Sequence, residues 1–147
     1  MGLALAEAKK ALASDDVPVG AVAVRDGTVI GRGYNRREAD GDPTAHAEIL
    51  AIREAATVVG EWRLEGVTLY CTLEPCCMCA GAMILARLPR LVYGVLDPKA
   101  GCGGSVMDVL RHPQLNHRVD VFTGVRAAAC ARLLDDFFKN LRDKSDT

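Results

Sequence analysis

The chain has 147 residues, half of them hydrophobic, and a formal net charge of −1 at neutral pH. This length suits a single domain over residues 1–147, and the apolar content argues against a disordered chain. A charge so close to zero excludes a global attraction to nucleic acid, so a nucleic-acid partner would need a local basic patch.

The first segment, Met1–Ser14, mixes Glu7, Lys9 and Lys10 with alanine and leucine. This mixture predicts an amphipathic helix and lacks the apolar core of a signal peptide. No apolar run approaches the roughly 18 residues that span a membrane. We therefore expect a cytoplasmic protein without a membrane partner. In that setting the six cysteines favour metal binding or catalysis over disulfides.

Helix and strand signals alternate along the rest of the chain, and Asp26-Gly27 between two apolar runs indicates a hairpin. In chain order the predicted elements are a helix over Met1–Ser14, strands over Pro18–Arg25 and Thr28–Tyr34, a helix from an N-cap at Thr44 to about Val58, a strand over Val67–Thr72, a helix from Cys76 to about Leu88, a strand over Arg90–Val95, a helical turn over Val106–Leu110, a strand over Arg118–Phe122 and a helix from Arg126 to about Arg142. This order predicts an α/β fold with one five-stranded mixed sheet between helical layers. The strands on either side of the cysteine helix should be parallel, with a right-handed crossover.

The stretch Thr72–Cys79, T-L-E-P-C-C-M-C, carries the clearest chemical signal. Pro75 suits the first turn of a helix, where its missing N–H donor costs nothing. Cys76 and Cys79 are three residues apart and share one helix face, so they can hold one metal ion. The helix N-terminus favours the thiolate form that binds metal.

His46 can supply a third ligand, and a catalytic zinc site commonly has three protein ligands and one water. Such an ion lowers the pKa of its water towards ~7, and Glu48 can then move the proton. In mid-helix the side chains of His46 and Glu48 would point apart by about 200°. The geometry therefore requires that His46 begins its helix.

Two structural alternatives remain open. Cys77 could join His46, Cys76 and Cys79 in a closed structural zinc site, which would leave Glu48 without a role. A C-x-x-C motif that opens a helix after a strand also resembles a thioredoxin-type redox motif. Neither alternative explains H-x-E and P-C-x-x-C together, which is the signature of zinc deaminases that act on cytosine and adenine.

The other cysteines have less specific predictions. Cys77 points away from the metal-binding face, which favours core packing. Cys71, Cys102 and Cys130 are predicted to be small apolar fillers. Cys102 lies in a glycine-rich loop, so we expect it to be the most exposed and oxidisable of them.

Longer motifs extend over nearly the whole chain: V-P-V-G-A-V (17–22), Y-N-R (34–36), D-P-T-A-H-A-E-I (42–49), L-Y-C-T-L-E-P-C-C-M-C-A-G-A-M-I (69–84), D-P-K-A-G (97–101), G-S-V-M-D-V-L (104–110) and L-N-H-R-V (115–119). With these motifs the chain resembles the bacterial tRNA-specific adenosine deaminases of the cytidine deaminase superfamily. The resemblance implies one zinc-dependent deaminase domain with the cytidine-deaminase-like three-layer α/β/α fold. It also implies a homodimer with one Zn²⁺ per subunit and active sites near the subunit interface.

The resemblance assigns roles to individual residues. His46, Cys76 and Cys79 correspond to the zinc ligands, and Glu48 corresponds to the proton shuttle. The implied substrate-binding residues are Asn35, which hydrogen-bonds the flipped nucleotide, Val19, Ala47 and Asp97 near the base pocket and the RNA loop, and Phe138 beside Phe137 on a C-terminal helix that approaches the RNA. Packing of that helix is an equal alternative for one of the two phenylalanines.

The implied reaction is hydrolytic deamination of adenosine to inosine at the wobble position of a tRNA anticodon. The partner would be the anticodon stem-loop, with an arginine tRNA as the expected substrate. Its phosphates should meet local basic residues at loops and element ends, namely Arg36, Arg37, Lys99, Arg111 and Arg118. The alternative enzyme is a zinc-dependent deaminase of a free base or nucleoside, of guanine or cytosine type. A non-enzymatic alternative is a structural zinc module that binds RNA.

Overall fold

The computed structural model describes residues 1–146. Its helices are α1 (Gly2–Lys10), α2 (Arg37–Asp40), α3 (Ala47–Val59), α4 (Cys77–Leu85) and α5 (Ala127–Ser145), with a 3-10 turn at Ala11–Ser14. Its strands are β1 (Gly20–Arg25), β2 (Thr28–Tyr34), β3 (Val67–Leu73), β4 (Arg90–Val95) and β5 (Asp120–Phe122). Among the described residues, no helix combines the length and apolar character that crossing a membrane requires.

One mixed sheet joins the five strands in the order β2-β1-β3-β4-β5. β1 pairs antiparallel with β2 and β3, whereas β3 pairs parallel with β4 and β4 with β5. The predicted five-stranded mixed sheet is therefore confirmed, with parallel strands on either side of the cysteine helix. Parallel strands end at the same edge, so α4 and the loop after β4 both begin there.

The register shows which helices cover each face of the sheet. Ala21 of β1 lies opposite both Gly33 of β2 and Cys71 of β3, so these three residues point to one face. The backbone of α3 packs on that face, and a Cβ atom on Gly33 would collide with the carbonyl oxygen of Ala47. Glycine at position 33 therefore lets the first turn of α3 lie directly on the sheet.

The opposite face of the sheet carries α1 and α5. Gly20 precedes Ala21 and points away from α3, and a Cβ there would strike the backbone of α1 at Ala4. Gly94 of β4 meets Cys130 of α5 in the same way. The predicted three-layer α/β/α arrangement is thus confirmed, with α1 and α5 in one layer and α3 and α4 in the other.

Several predicted boundaries were wrong. α3 begins at Ala47, because His46 still has extended backbone (ψ of 150°) and is the N-cap in place of Thr44, whose hydroxyl donates a hydrogen bond to Asp42 (2.7 Å). α4 ends at Leu85, soon after which Arg87 adopts a left-handed φ of 55°. β5 begins at Asp120 and not at 118, and none of the predicted helices corresponds to α2.

The predicted helical turn over 106–110 is also wrong. This segment folds back on the glycine-rich loop, where Gly103 and Asp108 form an isolated β-bridge. The N–H groups of Val106 and Val109 donate to the carbonyls of Gly101 and Cys102 (2.9 and 3.0 Å). These longer-range bonds satisfy donors that a single, poorly nucleated helical turn would leave free.

Candidate active site

Two helix starts meet at the edge where the parallel strands end. His46 is the N-cap of α3 and Cys76 is the N-cap of α4, and both have extended backbone (ψ of 150° and 177°). The requirement that His46 begin its helix is therefore met. The free N–H groups and dipoles of both helices point toward the same region, which favours negative charge there.

The side chains at these helix starts form a compact donor set. His46 Nδ1 lies 3.6 Å from Cys76 Sγ and 3.5 Å from Cys79 Sγ, and the three ligand atoms lie within 4.8 Å of one another. Tetrahedral zinc with its usual Zn–S and Zn–N distances places a sulfur and a nitrogen ligand about 3.6 Å apart. The triangle therefore fits a zinc ion held by three protein ligands, and the soft thiolates suit that metal.

Hydrogen bonds among His46, Cys76 and Cys79 shift the pKa values of all three side chains. Bonds from the Cys79 thiol and from His46 lower the pKa of Cys76 to about 3. The bond to Cys76 also raises the pKa of His46 and, together with burial, raises that of Cys79. Cys76 is thus a thiolate at neutral pH, the form that binds a cation.

Glu48 lies in the first turn of α3, beside the donor triangle, and is 4% exposed. Burial raises the pKa of its carboxyl group, although the interactions with Cys79 and His46 act in the opposite direction. A carboxyl group with a raised pKa can both accept and donate a proton near neutral pH. This position suits a proton carrier next to a metal-activated water.

A cavity of about 180 Å³ opens in front of these groups. It is lined by Val17, Val19, Asn35, Arg37, His46, Ala47, Glu48, Leu73, Glu74, Cys76, Asp97 and Ala100. The structure thus brings Val19, Asn35, Ala47 and Asp97 together with His46, Glu48 and Cys76, while Cys79 lies buried beside them. Val17, Leu73 and Ala100 were not predicted, because small apolar residues carry no chemical signal in a sequence.

Phe138 lies outside that lining. It sits on α5 with a ring that is 41% exposed and packs edge-on against Phe137, with 5.3 Å between the ring centroids. Phe137 is partly buried. The more exposed of the pair is therefore Phe138, the residue named as an RNA contact.

Asn35, which lines the cavity, uses only part of its hydrogen-bonding capacity within the protein. Its Nδ2 donates to the carbonyl of Val17 (3.1 Å), and its Oδ1 accepts from the N–H of Arg37 (3.2 Å). An amide has two N–H donors and two lone pairs, so these bonds fix the orientation of the group and leave one of each. Asn35 can therefore recognise both a donor and an acceptor on a ligand.

Two buried carboxylates near the cavity were missed. Glu74 is 2% exposed and accepts four hydrogen bonds from the segment 97–105. Asp16 accepts bonds from the N–H groups of Glu38 and Ala39 in α2 (2.6 and 3.1 Å). An acidic residue two positions before a metal ligand, as in L-E-P-C, could have drawn attention to Glu74.

The cysteine predictions were only partly correct. Cys71 and Cys130 are buried, as predicted for apolar fillers. Cys77 and Cys102 instead form a disulfide, with 5.2 Å between their Cα atoms. Cys77 is exposed rather than packed in the core, and Cys102 is 1% exposed rather than open to solvent. The glycine-rich loop that carries Cys102 folds back onto the start of α4, where Cys77 lies. The sequence of the loop gives no indication of this contact.

The basic residues predicted to meet phosphates have different surroundings. Arg36 pairs with Asp40 (2.9 Å) and Arg111 with Asp108 (2.8 Å), so both charges are partly neutralised. Arg37 lines the cavity, while Lys99 and Arg118 are exposed. Lys99 is two residues after Asp97, which lines the cavity. Of the five basic residues, Arg37 and Lys99 are therefore the two that lie in or next to the cavity lining without a carboxylate partner named above.

Comparison with known proteins identifies relatives of this arrangement. The family model of the MafB19-like deaminases matches residues 1–142. The chain is 49% identical over 141 residues to the tRNA-specific adenosine deaminase of Bacillus subtilis (strain 168), a match that covers 96% of this chain and 88% of the relative. It is similar to a structure from studies of A-to-I editing by tRNA:A34 deaminases at the wobble position of transfer RNA, with a TM-score of 0.87 and 48% identity over 91% of this chain and 97% of the other. It is also similar to a guanine deaminase from Nitrosomonas europaea, with a TM-score of 0.74 and 28% identity over 92% and 81% of the two chains.

Proposed function

The chain belongs to the MafB19-like deaminase family and, within it, to the tRNA-specific adenosine deaminases, and we propose from this that it hydrolyses adenosine to inosine at the wobble position of a tRNA anticodon. The observation that carries the proposal is the triangle of His46, Cys76 and Cys79 with the buried Glu48 beside it in one cavity. A closed site with a fourth cysteine is disfavoured, because Cys77 is bonded to Cys102.

His46, Cys76 and Cys79 would hold one zinc ion per subunit. When bound, that ion supplies Lewis-acid activation of a water molecule. Glu48 accepts a proton from the attacking water and donates it to N1 of the adenine ring. It then transfers the second proton to the departing ammonia. Because the pKa of Glu48 is raised, its carboxyl group is suited both to accept a proton from water and to donate a proton to the base.

The size and position of the cavity suit a single base taken out of a stack. Its lining includes Asn35, Asp97 and Glu48, so a base that enters meets polar groups as well as the proton carrier. A base inside a helical stack cannot reach such a site, so the nucleotide must be flipped out of the anticodon loop. We propose the anticodon stem-loop of an arginine tRNA as the substrate, which a cytoplasmic enzyme would meet.

We further propose that the protein works as a homodimer. Met78 and Leu85 are seven residues apart on one face of α4 and are both exposed, as is Met107. The sulfur of Met107 lies 3.7 Å from Cys77, so these side chains form one apolar surface next to the metal ligands. A second copy that covers this surface would place two active sites near the interface. Leu85→Lys should then shift the mass measured by light scattering from dimer to monomer.

Deamination of a free base remains the second candidate, because a guanine deaminase shares the fold at 28% identity. An ammonia assay separates the two. The purified protein is incubated with an arginine-tRNA anticodon stem-loop and, in parallel, with free guanine, cytosine and adenosine. Ammonia from the stem-loop alone supports the proposal, ammonia only from a free base or from the nucleoside supports the second candidate, and ammonia from none of them supports a structural zinc module.

A further inference from the structure

The segment 97–105, called here the pocket loop, forms one wall of the cavity. It contributes Asp97 and Ala100 to the lining. The Asp97 side chain accepts hydrogen bonds from the N–H groups of Lys99 and Ala100 (3.0 and 3.2 Å). The placement of the wall therefore depends on where the backbone of Asp97 is held.

One buried carboxylate holds both ends of the pocket loop. Glu74 Oε1 accepts bonds from the N–H of Asp97 (2.9 Å) and the hydroxyl of Ser105 (2.5 Å). Its Oε2 accepts bonds from the N–H groups of Gly103 and Ser105 (2.9 and 3.0 Å). Both oxygens thus act as acceptors, and the negative charge is stabilised by peptide dipoles.

The loop backbone lies directly on this carboxylate. A Cβ atom on Gly101 would collide with the Glu74 carboxyl carbon and with the carbonyl oxygen of Asp97. On Gly103 it would lie 3.3 Å from Cγ of Glu74. Glycine at these positions lets the main chain wrap around Glu74, so the loop conformation and this side chain depend on each other.

Glu74 also stands at the junction between the loop and the metal-binding helix. It follows β3, and its own N–H donates to the carbonyl of Val95 at the end of β4 (2.9 Å). Pro75 then accepts from Cys102 (2.8 Å), and Cys76 begins the helix. The helix start has further support of its own, since Ala80 donates to Cys76 (2.9 Å). Loss of the Glu74 carboxylate should therefore free the loop more than it disturbs the ligands.

From this arrangement we infer that Glu74 is a positioning residue, whose carboxylate holds the pocket loop so that Asp97 and Ala100 form the substrate-binding wall. The inference rests on the proposed function for its substrate, the anticodon stem-loop. It assigns Glu74 to the affinity for the flipped nucleotide and leaves the chemical step to Glu48.

The test compares the wild type with Glu74→Gln. Glutamine has the same shape, but its amide nitrogen cannot accept a hydrogen bond. Whichever way the amide turns, that nitrogen faces at least one loop N–H. Ser105→Ala removes one hydroxyl bond and keeps the three backbone bonds, so it should give a smaller change in the same direction. Glu65→Gln is the matched control, because Glu65 is exposed and precedes β3, whereas Glu74 follows the other end of that strand.

Three readouts are taken: metal content, amide hydrogen exchange by NMR without RNA, and KM and kcat for the stem-loop. We expect Glu74→Gln to keep its metal, to exchange the amides of Asp97, Gly103 and Ser105 faster, and to raise KM by roughly tenfold or more, as loss of a bond to a charged group implies. kcat should fall by less than KM rises. If Glu74→Gln does not fold, Ser105→Ala must show the smaller rise in KM with normal metal content.

Unchanged exchange and KM in Glu74→Gln, or an unchanged KM in Ser105→Ala when the former does not fold, would overturn the inference. Loss of metal, or a fall in kcat at constant KM, would also overturn it, because Glu74 would then support the helix or the chemistry. Failure of the proposed function has a different signature: the wild type itself releases no ammonia from the stem-loop. The exchange measurement needs no RNA and remains decisive in that case.

Discussion

His46 Nδ1 and Cys76 Sγ lie 3.6 Å apart across 30 residues of chain, and each residue is the N-cap of its own helix. A metal ion held by this pair and Cys79 would join α3 to α4 at their N-termini. The same ion would sit where two helix dipoles favour thiolates and a negatively charged oxygen. Stability and catalysis are therefore linked through one small cluster, and separate substitutions can distinguish them.

His46→Ala should lose the metal and lower the melting temperature. A bound ion at 100 times its Kd stabilises by about 2.7 kcal/mol, which corresponds to roughly 5–10 °C for a chain of this size. Calorimetry with and without a chelator measures this: the wild type should respond to the chelator and the variant should not. His112→Ala, at an exposed loop position, is the control and should behave like the wild type.

Glu48→Gln should abolish turnover and keep the metal, because the amide retains the shape of the side chain but cannot carry protons. General acid–base catalysis contributes about 10²–10⁴-fold, so kcat should fall by at least that range. Steady-state kinetics with the stem-loop, together with metal analysis, checks this. The exposed Glu54 of the same helix provides the control Glu54→Gln. Near-normal kcat in Glu48→Gln would remove this residue from the mechanism.

Gly33→Ala should destabilise the protein and displace the start of α3. The added Cβ meets the carbonyl oxygen of Ala47, and overpacking of this kind costs about 1–3 kcal/mol. Since Ala47 lies between His46 and Glu48, activity should fall as well. Gly81→Ala is the matched control: within residues 1–146, no atom beyond its chain neighbours and its own helix backbone lies within 4 Å of the added Cβ, so the better helix propensity should stabilise by up to about 1 kcal/mol. Chemical denaturation compares the two, and equal effects would contradict the packing described here.

Reduction of the Cys77–Cys102 disulfide should lower stability. The bond links residues 25 apart, and a loop of that length corresponds to about 3–4 kcal/mol of unfolded-state entropy. Urea unfolding with and without a phosphine reductant measures the difference. The double variant Cys77→Ser/Cys102→Ser should match the reduced wild type and show no response to reductant. If the reductant lowered the stability of the double variant as much as that of the wild type, the loss of stability would have to come from other cysteines.

Asp16→Asn should reduce the loss of stability in acid. Burial acts to raise the pKa of Asp16, but hydrogen bonds from Glu38, Ser14 and Ala39 outweigh it and hold the pKa below the ordinary value of 3.8. The stabilisation by this carboxylate is therefore present above about pH 4 and is lost as the pH falls through the folded-state pKa. Urea midpoints between pH 3 and pH 7 should fall less steeply in the variant, with the slope above pH 5 unchanged. An identical acid slope in both proteins would show that Asp16 makes no such contribution.

The elements with strong local signals were predicted well. Asp26 and Gly27 both have positive φ (50° and 75°), as a tight hairpin turn requires. His46, Cys76 and Cys79 were predicted as ligands from the histidine and cysteine spacing that zinc sites use, and the structure brings their ligand atoms within 4.8 Å of one another. The parallel pairing of β3 and β4 followed from the helix that connects them, whereas the order of the five strands was not predicted.

The features that sequence reasoning missed depend on contacts between distant segments. In the sequence, little distinguishes Glu74 from other acidic residues. Its role depends on the hydrogen bonds that it accepts from the pocket loop in the folded chain. Cys77 and Cys102 are 25 residues apart, and only the return of the loop to α4 brings them together. Thr44 is a residue type that is common at N-caps, but the chain stays extended as far as His46, which is the actual N-cap of α3.

The central claim is that Glu48 and a metal held by His46, Cys76 and Cys79 deaminate one adenosine of the anticodon. Its most direct test is nucleoside analysis of an arginine-tRNA anticodon stem-loop after incubation with the purified, metal-loaded protein. We predict inosine at the wobble position, one ammonia released per inosine, and neither product with Glu48→Gln. An unmodified wobble adenosine after incubation with the metal-loaded wild type would contradict the account.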